Sequence, residues 1–532
     1  MEERRVGVPV WLGLLAIVLF AAAVRVRLLD VPLERDEGEY AYAAQLMLSG
    51  VPPYEQLYSM KLPGVWAAYA AFLALFGQTQ RAIHAGLLLV NVATIVLVFR
   101  LAWRWGGALS GLTAAACFAL LSAGRATHGL FANAEHFVLP LVVAGWLLLP
   151  GAVATERRGR LIWGGVLLGL GILMKQHAVI FTVGALIYVF AAEVGSGRTP
   201  RHGALRSGWL AAGVALPLVA TAVGLALAGT FNRFWFWAIV YARRYAGEVP
   251  LSDAIALFRL GAGDVVGSMP LLWLLAGGGL VALFWAPQAR EARTFMGLFV
   301  ISSALAVVPG FFFRPHYFLL VLPAAASLAG LAVGSLARIR TAGIRESVWS
   351  GAAVALATLC VAGSLFQSRG YLLEATPTEV SRATFGLNAF PESIPIADYI
   401  RRHSVDGDTV AVLGSEPQIC FYARRRSATG YVYMYEMMRP HEYAGRMQEE
   451  LIREVTQADP KFVVFVRIED SWSREESSKN LIFEWFDGFA EARYERVGLV
   501  TIEPDRTEYH WAPDVPWPPD AHYWLLLLQR KD

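Results

Sequence analysis

The chain has 532 residues, of which 56% are hydrophobic and 17% charged, and its mean hydropathy is positive. This excludes an ordinary soluble globular protein and calls for many membrane spans. The net charge of +3 hides two unlike parts, since residues 1–366 carry 27 Lys/Arg against 16 Asp/Glu and residues 367–532 carry 19 against 27; no long basic run offers a nucleic-acid surface.

The first apolar run, 6–24, follows the sequence MEERR and ends in small residues. That is the outline of a signal peptide, but the same apolar pattern continues downstream and an uncleaved first span is expected. Next comes ERDEGEYAYAAQLMLSGVPPYEQLYSMKLPG, residues 34–64, with five carboxylates (Glu34, Asp36, Glu37, Glu39, Glu55) and one lysine, Lys61. Asp36 and Glu39 stand at capping-box spacing, which predicts a helix capped by Asp36. It should run to about Ser49, where Gly50 supplies a left-handed cap and Pro52-Pro53 forbid continuation. Tyr40, Ala43, Ala44, Met47 and Leu48 share one face, so this helix is expected to lie on the membrane surface with its acidic start toward a cavity. The loop 30–81 is thereby read as catalytic. On the residues alone, Asp36 serves equally well as a plain N-cap.

Eleven runs near the spanning length of about 20 residues fall at 6–24, 82–101, 108–124, 137–154, 161–174, 178–194, 208–229, 265–286, 295–313, 317–336 and 348–366. With the N-terminus in the cytoplasm, the short connections on that side are all basic: Arg4 and Arg5; Arg100 and Arg104; Arg157, Arg158 and Arg160; Arg198, Arg201 and Arg206; Arg290 and Arg293; Arg338, Arg340 and Arg345. This is what the positive-inside rule asks. Counting the apolar stretch 62–76 as a further span would invert everything after it, so it is read as re-entrant or surface-lying.

An odd number of spans makes residues 1–366 the membrane domain and leaves residues 367–532 outside the cell membrane. In that tail a helix near 396–403, a strand at 409–413, a helix near 439–456, a strand at 461–467 and a late strand at 523–529 predict an extracytoplasmic α/β domain. No P-loop or Rossmann glycine pattern occurs, which argues against ATP drive. Cys117 and Cys360 lie in apolar runs and Cys420 stands alone, so neither a disulfide framework nor a metal motif is expected.

Ionisable groups at membrane depth are costly without partners, so those at the outer ends of the spans are the functional candidates. The acids are Asp36, Glu37, Glu39, Glu55 and Glu135. The cations are Lys61, Arg81, Arg125, Lys175, Arg243, Arg244 and Arg314, with His128, His136, His177 and His316 beside them. A carboxylate can accept the proton of an attacking hydroxyl, while Lys and Arg hold a phosphate and stabilise the charge that develops as it leaves. A phosphate leaving group needs no protonation, so one base and several cations suffice. The histidines lack a metal-site spacing, and no metal or other cofactor is expected. Plainer roles exist for each: Glu135 as a helix cap, Lys175 as a snorkelling side chain, Arg243 and Arg244 as the wet face of a surface helix, and Trp235 and Trp237 as interface anchors.

Several motifs together resemble the membrane glycosyltransferases of family 39 in the GT-C class, the group of protein mannosyltransferases and aminoarabinose transferase. They are RDEGEYAYAAQLMLSG with the proline break and KLPG, NAEH at Glu135, LLGLGILMKQH at Lys175, and RPHYFLLVLPAAASLAG from Arg314. In the tail, IADYIRRHSVDGDTVAVLG is weakly similar to the outer domains of bacterial members. The resemblance implies a polytopic α-helical GT-C fold and inverting transfer of a hexosyl or pentosyl group from a polyprenyl-phosphate donor, on the outer side of the membrane, to a protein, lipid or polysaccharide hydroxyl. It implies Asp36 as base, Glu37 as its neighbour in the catalytic pair, Glu135 as the second-loop acid, and Lys61, Lys175, Arg314 and His316 around the donor phosphate. Met60 and Leu62 depart from the family's glutamate and proline beside the lysine, which leaves Glu55 as a substitute carboxylate; Arg81, Arg243 and Arg244 are further candidates. The rival readings are a flippase for lipid-linked sugars and a non-catalytic envelope assembly protein.

Overall fold

The computed structural model describes residues 7–286, 292–339 and 345–531. Of the basic residues that set the expected orientation, Arg4, Arg5, Arg290 and Arg340 lie outside these. Each of the eleven apolar runs falls mostly on helix, except that 295–313 leaves it after Leu305. Among the described residues, seven helices are long and apolar enough to cross a membrane: Val8–Arg27, Gln80–Gly106, Ala134–Thr155, Ala178–Gly195, Pro200–Leu227, Pro315–Leu336 and Glu346–Glu374. Ala108–Leu121 and Arg293–Leu305 are shorter apolar helices, and Arg158–Met174 has 17 residues.

One expected span is not straight. The run 265–286 breaks at Met269-Pro270, and the helices Leu251–Ser268 and Pro270–Trp285 meet at 104°. Proline lacks the amide that would continue the first helix and clashes with its last turn, so the run turns at this point. Pro63–Phe76 has 14 residues, about 21 Å of helix against a hydrocarbon core of about 30 Å.

The spanning helices share one apolar core that includes Phe99, Phe118, Trp146 and Phe299. The windows of Val8–Arg27, Pro200–Leu227 and Glu346–Glu374 are only 22% buried, and their outward faces carry Leu19, Leu216 and Leu359. Such faces suit hydrocarbon rather than water.

The tail carries one six-stranded sheet: β1 (Thr409–Leu413), β2 (Arg426–Ser427), β3 (Phe462–Arg467), β4 (Tyr494–Ile502), β5 (Thr507–Trp511) and β6 (Tyr523–Arg530), in the order β2-β1-β3-β6-β4-β5. β1 runs parallel to β2 and β3, whereas β6 pairs antiparallel with both β3 and β4. Side chains alternate between two cores, as the pleat requires. Val410, Val412, Val464, Val466, Leu525 and Leu527 face one way. Ala411, Leu413, Val463, Phe465, Leu526 and Leu528 face the other, against Leu451, Val455 and Phe486 of the helices Ala444–Ala458 and Leu481–Arg493.

The first of these faces belongs to the same core as the loop 30–81, with Tyr40, Tyr42, Leu46, Tyr54 and Trp66. Loop and tail are also stitched by hydrogen bonds. The Leu33 amide donates to Tyr422 Oη at 2.9 Å, the Ser427 amide to Tyr42 Oη at 2.7 Å and the Tyr58 amide to the Gly430 carbonyl at 2.8 Å. Gly38 has to be glycine here, because a Cβ would sit 2.7 Å from the Gln418 amide nitrogen.

Candidate active site

The helix Arg35–Leu48 begins earlier than its expected cap. Glu34 is the N-cap: its carboxylate accepts from the amides of Asp36 at 3.0 Å and Glu37 at 3.1 Å, and Glu37 returns a bond to the Glu34 amide at 3.1 Å. The capping box is therefore Glu34 with Glu37, replacing the expected Asp36 with Glu39. At its far end, Gly50 takes the left-handed conformation, with φ +84°, as expected. Nor does this helix lie on a membrane surface, since Tyr40 to Ala44 are all buried between Pro63–Phe76 and the tail helix Gln418–Ala423. The small side chains on several faces of the helix admit neighbours all round.

Released from capping, the Asp36 carboxylate meets Lys61. Lys61 Nζ donates to Asp36 Oδ1 at 2.8 Å and to Tyr40 Oη at 3.2 Å, and lies 4.0 Å from Glu39 Oε2. Tyr433, from the tail, donates its hydroxyl to the same Asp36 Oδ1 at 2.5 Å. Burial alone would raise the Asp36 carboxyl, but the Lys61 ammonium, helped by His316 and the bonds from Lys61 and Tyr433, holds it well below the usual carboxylate range. Lys61 is likewise opposed by burial and raised well above its ordinary value by Asp36, Tyr40 and Glu39. Burial brings Glu39, which accepts from Ser59 Oγ at 2.6 Å, up to about 7.

A second ion pair stands beside the first. Lys175 Nζ donates to Glu135 Oε1, and His316 Nε2 lies 3.9 Å from that oxygen. Glu135 Oε2 is buried without a partner. Lys175 also sits 4.1 Å above the Tyr317 ring. The two pairs are joined through the backbone, where Gln176 Nε2 donates to the Met60 carbonyl at 2.9 Å, and through the charge of His316, which reaches Asp36 as well. His128 packs 6.1 Å from His316, and burial lowers its imidazole to about 4, which keeps it neutral. Arg314 remains exposed at the rim, with its guanidinium 5.5 Å over Phe312 and a hydrogen bond to Tyr245.

The structure thus brings Asp36, Lys61, Glu135, Lys175 and His316 to one place, with Glu39, His128 and Arg314 alongside, and separates Glu37, Glu55, Arg81, Arg243 and Arg244 from it. Glu37 is fully buried in structural bonds to His84 Nε2 at 3.0 Å and the Ala132 amide at 2.6 Å, besides the Glu34 amide. Adjacent helix positions point about 100° apart, so Asp36 and Glu37 face different neighbours. Arg81 pairs with Asp30 at an exposed site. The backbone of Glu55 accepts from Arg233 at 2.5 Å while its own side chain faces solvent. Arg243 is exposed, and Arg244 turns to the Pro440 carbonyl at 3.3 Å. Cys117, Cys360 and Cys420 are buried and unbridged.

Residues 61–224 match the family described as dolichyl-phosphate-mannose-protein mannosyltransferase. Among solved structures, ArnT from Cupriavidus metallidurans bound to undecaprenyl phosphate superposes with a TM-score of 0.56 at 19% identity, covering 86% of this chain and 94% of that one. The archaeal oligosaccharyltransferase AglB from Archaeoglobus fulgidus, in complex with an inhibitory peptide and a dolichol-phosphate, gives a TM-score of 0.54 at 12% identity, covering 96% and 75%. The chain shares its fold with these two solved structures, and part of its sequence matches the mannosyltransferase family model. Among curated proteins, none matches its sequence significantly.

The matched stretch contains Lys61, Glu135 and Lys175 but stops short of Asp36 on one side and Arg314 and His316 on the other. Sequence reasoning missed Tyr433, Tyr40 and Tyr317 at the site. Tyr433 sits in GYVYMYEMM, an aromatic run without helix or strand period, and its density of tyrosines was the one available signal.

Proposed function

We propose that this protein is an inverting glycosyltransferase that moves a sugar from a polyprenyl-phosphate donor to a hydroxyl acceptor at the outer face of the cell membrane. The observation that carries the reading is the Asp36–Lys61 pair, a carboxylate and an ammonium 2.8 Å apart under the hydroxyl of Tyr433. Asp36 is the general base. As the acceptor oxygen attacks the anomeric carbon from the side opposite the phosphate, its proton passes to Asp36, and the bond from carbon to phosphate oxygen breaks with its electron pair leaving on the polyprenyl phosphate. A carboxylate held this low is ionised at any working pH, and it takes the proton only as the hydroxyl becomes acidic in the transition state.

Lys61, Lys175, Arg314 and His316 are the groups proposed to hold the donor phosphate and stabilise its growing charge, with Glu135 orienting Lys175. These side-chain cations serve the leaving group without a metal ion. For the lipid chain, an apolar cavity of about 440 Å³ lies between Ala178–Gly195 and Arg293–Leu305. It ends at Val308 to Phe311, three residues before Arg314. The polyprenyl phosphates named with the ArnT and AglB structures support a donor of this class. In this reading residues 1–366 form the membrane transferase domain and residues 367–532 an outer domain that roofs it.

The test is transfer by the purified protein in lipid, from a panel of radiolabelled polyprenyl-phosphate sugars to cell-envelope extract. Label should reach the acceptor from one donor class. Labelled lipid crossing a sealed vesicle without any transfer would replace this reading with a flippase.

A further inference from the structure

A second cavity, of about 300 Å³, opens where the loop, the segment Phe231–Tyr245 and the tail helix Ala444–Ala458 meet. That volume is at the small end of the ~300–1,000 Å³ typical of ligand sites. Its walls are aromatic: Tyr58 and Trp237 stand nearly parallel, at 10° and 6.0 Å, and Tyr431 meets Tyr58 edge-on at 4.9 Å. Phe236 and Tyr443 continue the lining with their rings at 5.3 Å.

Polar groups sit among these rings. Glu450 accepts from Tyr431 Oη at 2.9 Å, while Asn232, Arg233 and Arg446 reach the cavity from exposed positions. The wall from Phe236 to Tyr241 is a π-helical turn inside an otherwise α-helical segment. Such turns are rare and concentrate at functional positions; here one sets Phe236 and Trp237 side by side in the lining.

Two of the walls are continuous with the proposed catalytic centre. Tyr58 precedes Ser59, which holds Glu39, and Lys61, which holds Asp36; Tyr431 precedes Tyr433, which also bonds Asp36. A ligand in this cavity therefore rests on the two strips of chain that build the base.

Resting on the transferase reading, we propose that the cavity lined by Tyr58, Trp237, Tyr431 and Arg446 binds the acceptor, and that the acceptor is a carbohydrate. Sugar rings present apolar C–H faces that pack on flat aromatic rings, and a rim of hydroxyls that bond to carboxylate, amide and guanidinium groups. A cavity with both surfaces in so small a volume matches one or two sugar rings.

The experiment needs no donor and no turnover. The full chain in lipid nanodiscs is titrated with methyl α-mannoside, N-acetylglucosamine and cellobiose, and separately with a Ser/Thr-rich decapeptide, by saturation-transfer NMR. At least one saccharide should bind, and Asn232→Ala and Arg446→Ala, both at exposed positions, should each weaken it about tenfold, the effect of a lost hydrogen bond to a charged or fixed group. Trp237→Phe, which keeps a ring in the core, should weaken it less. Absence of binding by all three saccharides, equal binding in wild type and the two alanine variants, or binding of the peptide in their place overturns the assignment. If saccharide binds and no donor supports transfer, it is the transferase reading that fails; if transfer proceeds while the cavity variants bind as wild type does, only this inference fails.

Discussion

Replacing Asp36 by asparagine separates catalysis from architecture because the amide keeps most of the contacts. Its oxygen still accepts from Tyr433 and Lys61, which in the wild type lie at 2.5 and 2.8 Å. What is lost is one negative charge beside a half-buried ammonium. Removing one partner of a buried ion pair commonly costs about 3–5 kcal/mol. Here Glu39 waits 4.0 Å from the same ammonium. Its carboxyl, at about 7 partly because Asp36 repels its charge, drops once Asp36 is neutral and takes over as counter-ion. The stability loss should then be about 1–2 kcal/mol, the difference between a charge-assisted and a neutral hydrogen bond. Loss of a general base costs about 10²–10⁴ in rate, or about 3–5 kcal/mol of barrier. Thermal unfolding in detergent and initial transfer rates in lipid, on the same preparation, measure both. A well-folded Asp36→Asn protein retaining more than a tenth of the wild-type rate would refute the assignment of Asp36 as base.

Tyr433→Phe removes the hydroxyl that donates to Asp36 Oδ1 and should slow transfer about tenfold with the fold intact; an unchanged rate would show that the tail does not tune the base. Glu39 binds a proton more tightly folded, at about 7, than unfolded, near its ordinary 4.5. Its contribution to stability should therefore decline as pH rises from about 5 to 8, and Glu39→Gln should flatten that part of the melting-temperature profile. Glu135→Gln leaves Lys175 without its carboxylate and should weaken donor binding more than it slows the bound complex; a pure rate effect with unchanged donor KM would contradict an orienting role. EDTA should leave transfer within twofold of the untreated rate, since Lys61, Lys175 and Arg314 supply the positive charge.

The membrane helices were legible where a span is apolar over its whole length: seven of the eleven expected runs coincide with the helices that are long and apolar enough to cross among the described residues, and the other four are shorter or bent. Asp36, Lys61, Glu135, Lys175 and His316 stood out as ionisable groups at span ends, which is costly without partners, and they are found as partners of one another. Sequence pattern failed where the tertiary surroundings decided. Glu34 caps the first loop helix because the chain enters it earlier than the Asp36–Glu39 spacing suggests, and the helix is buried on all sides because the tail covers its outer face. β1, β3 and β6 are dense apolar strands and were found to within a residue, while β4, which bulges between Arg496 and Gly498, and the half-exposed β5 mix polar and apolar residues without a clean period. Tyr433 was invisible for the same reason that it matters: 397 residues separate it from Asp36.

That separation has a consequence for biosynthesis. The chain is made from its N-terminus, so the acidic loop reaches its final side of the membrane long before residues 409–467 exist to cover it. Until the last third has been translated and its sheet assembled, Asp36 and Lys61 stand in water, where attraction between them is weak and Tyr42, Tyr54 and Trp66 lack the far side of their core. Sheet pairing over such distances is slow, so closing the roof is a late event in maturation. A truncated or stalled chain would carry every membrane helix and still lack the Tyr433 hydroxyl that Asp36 accepts from in the finished protein.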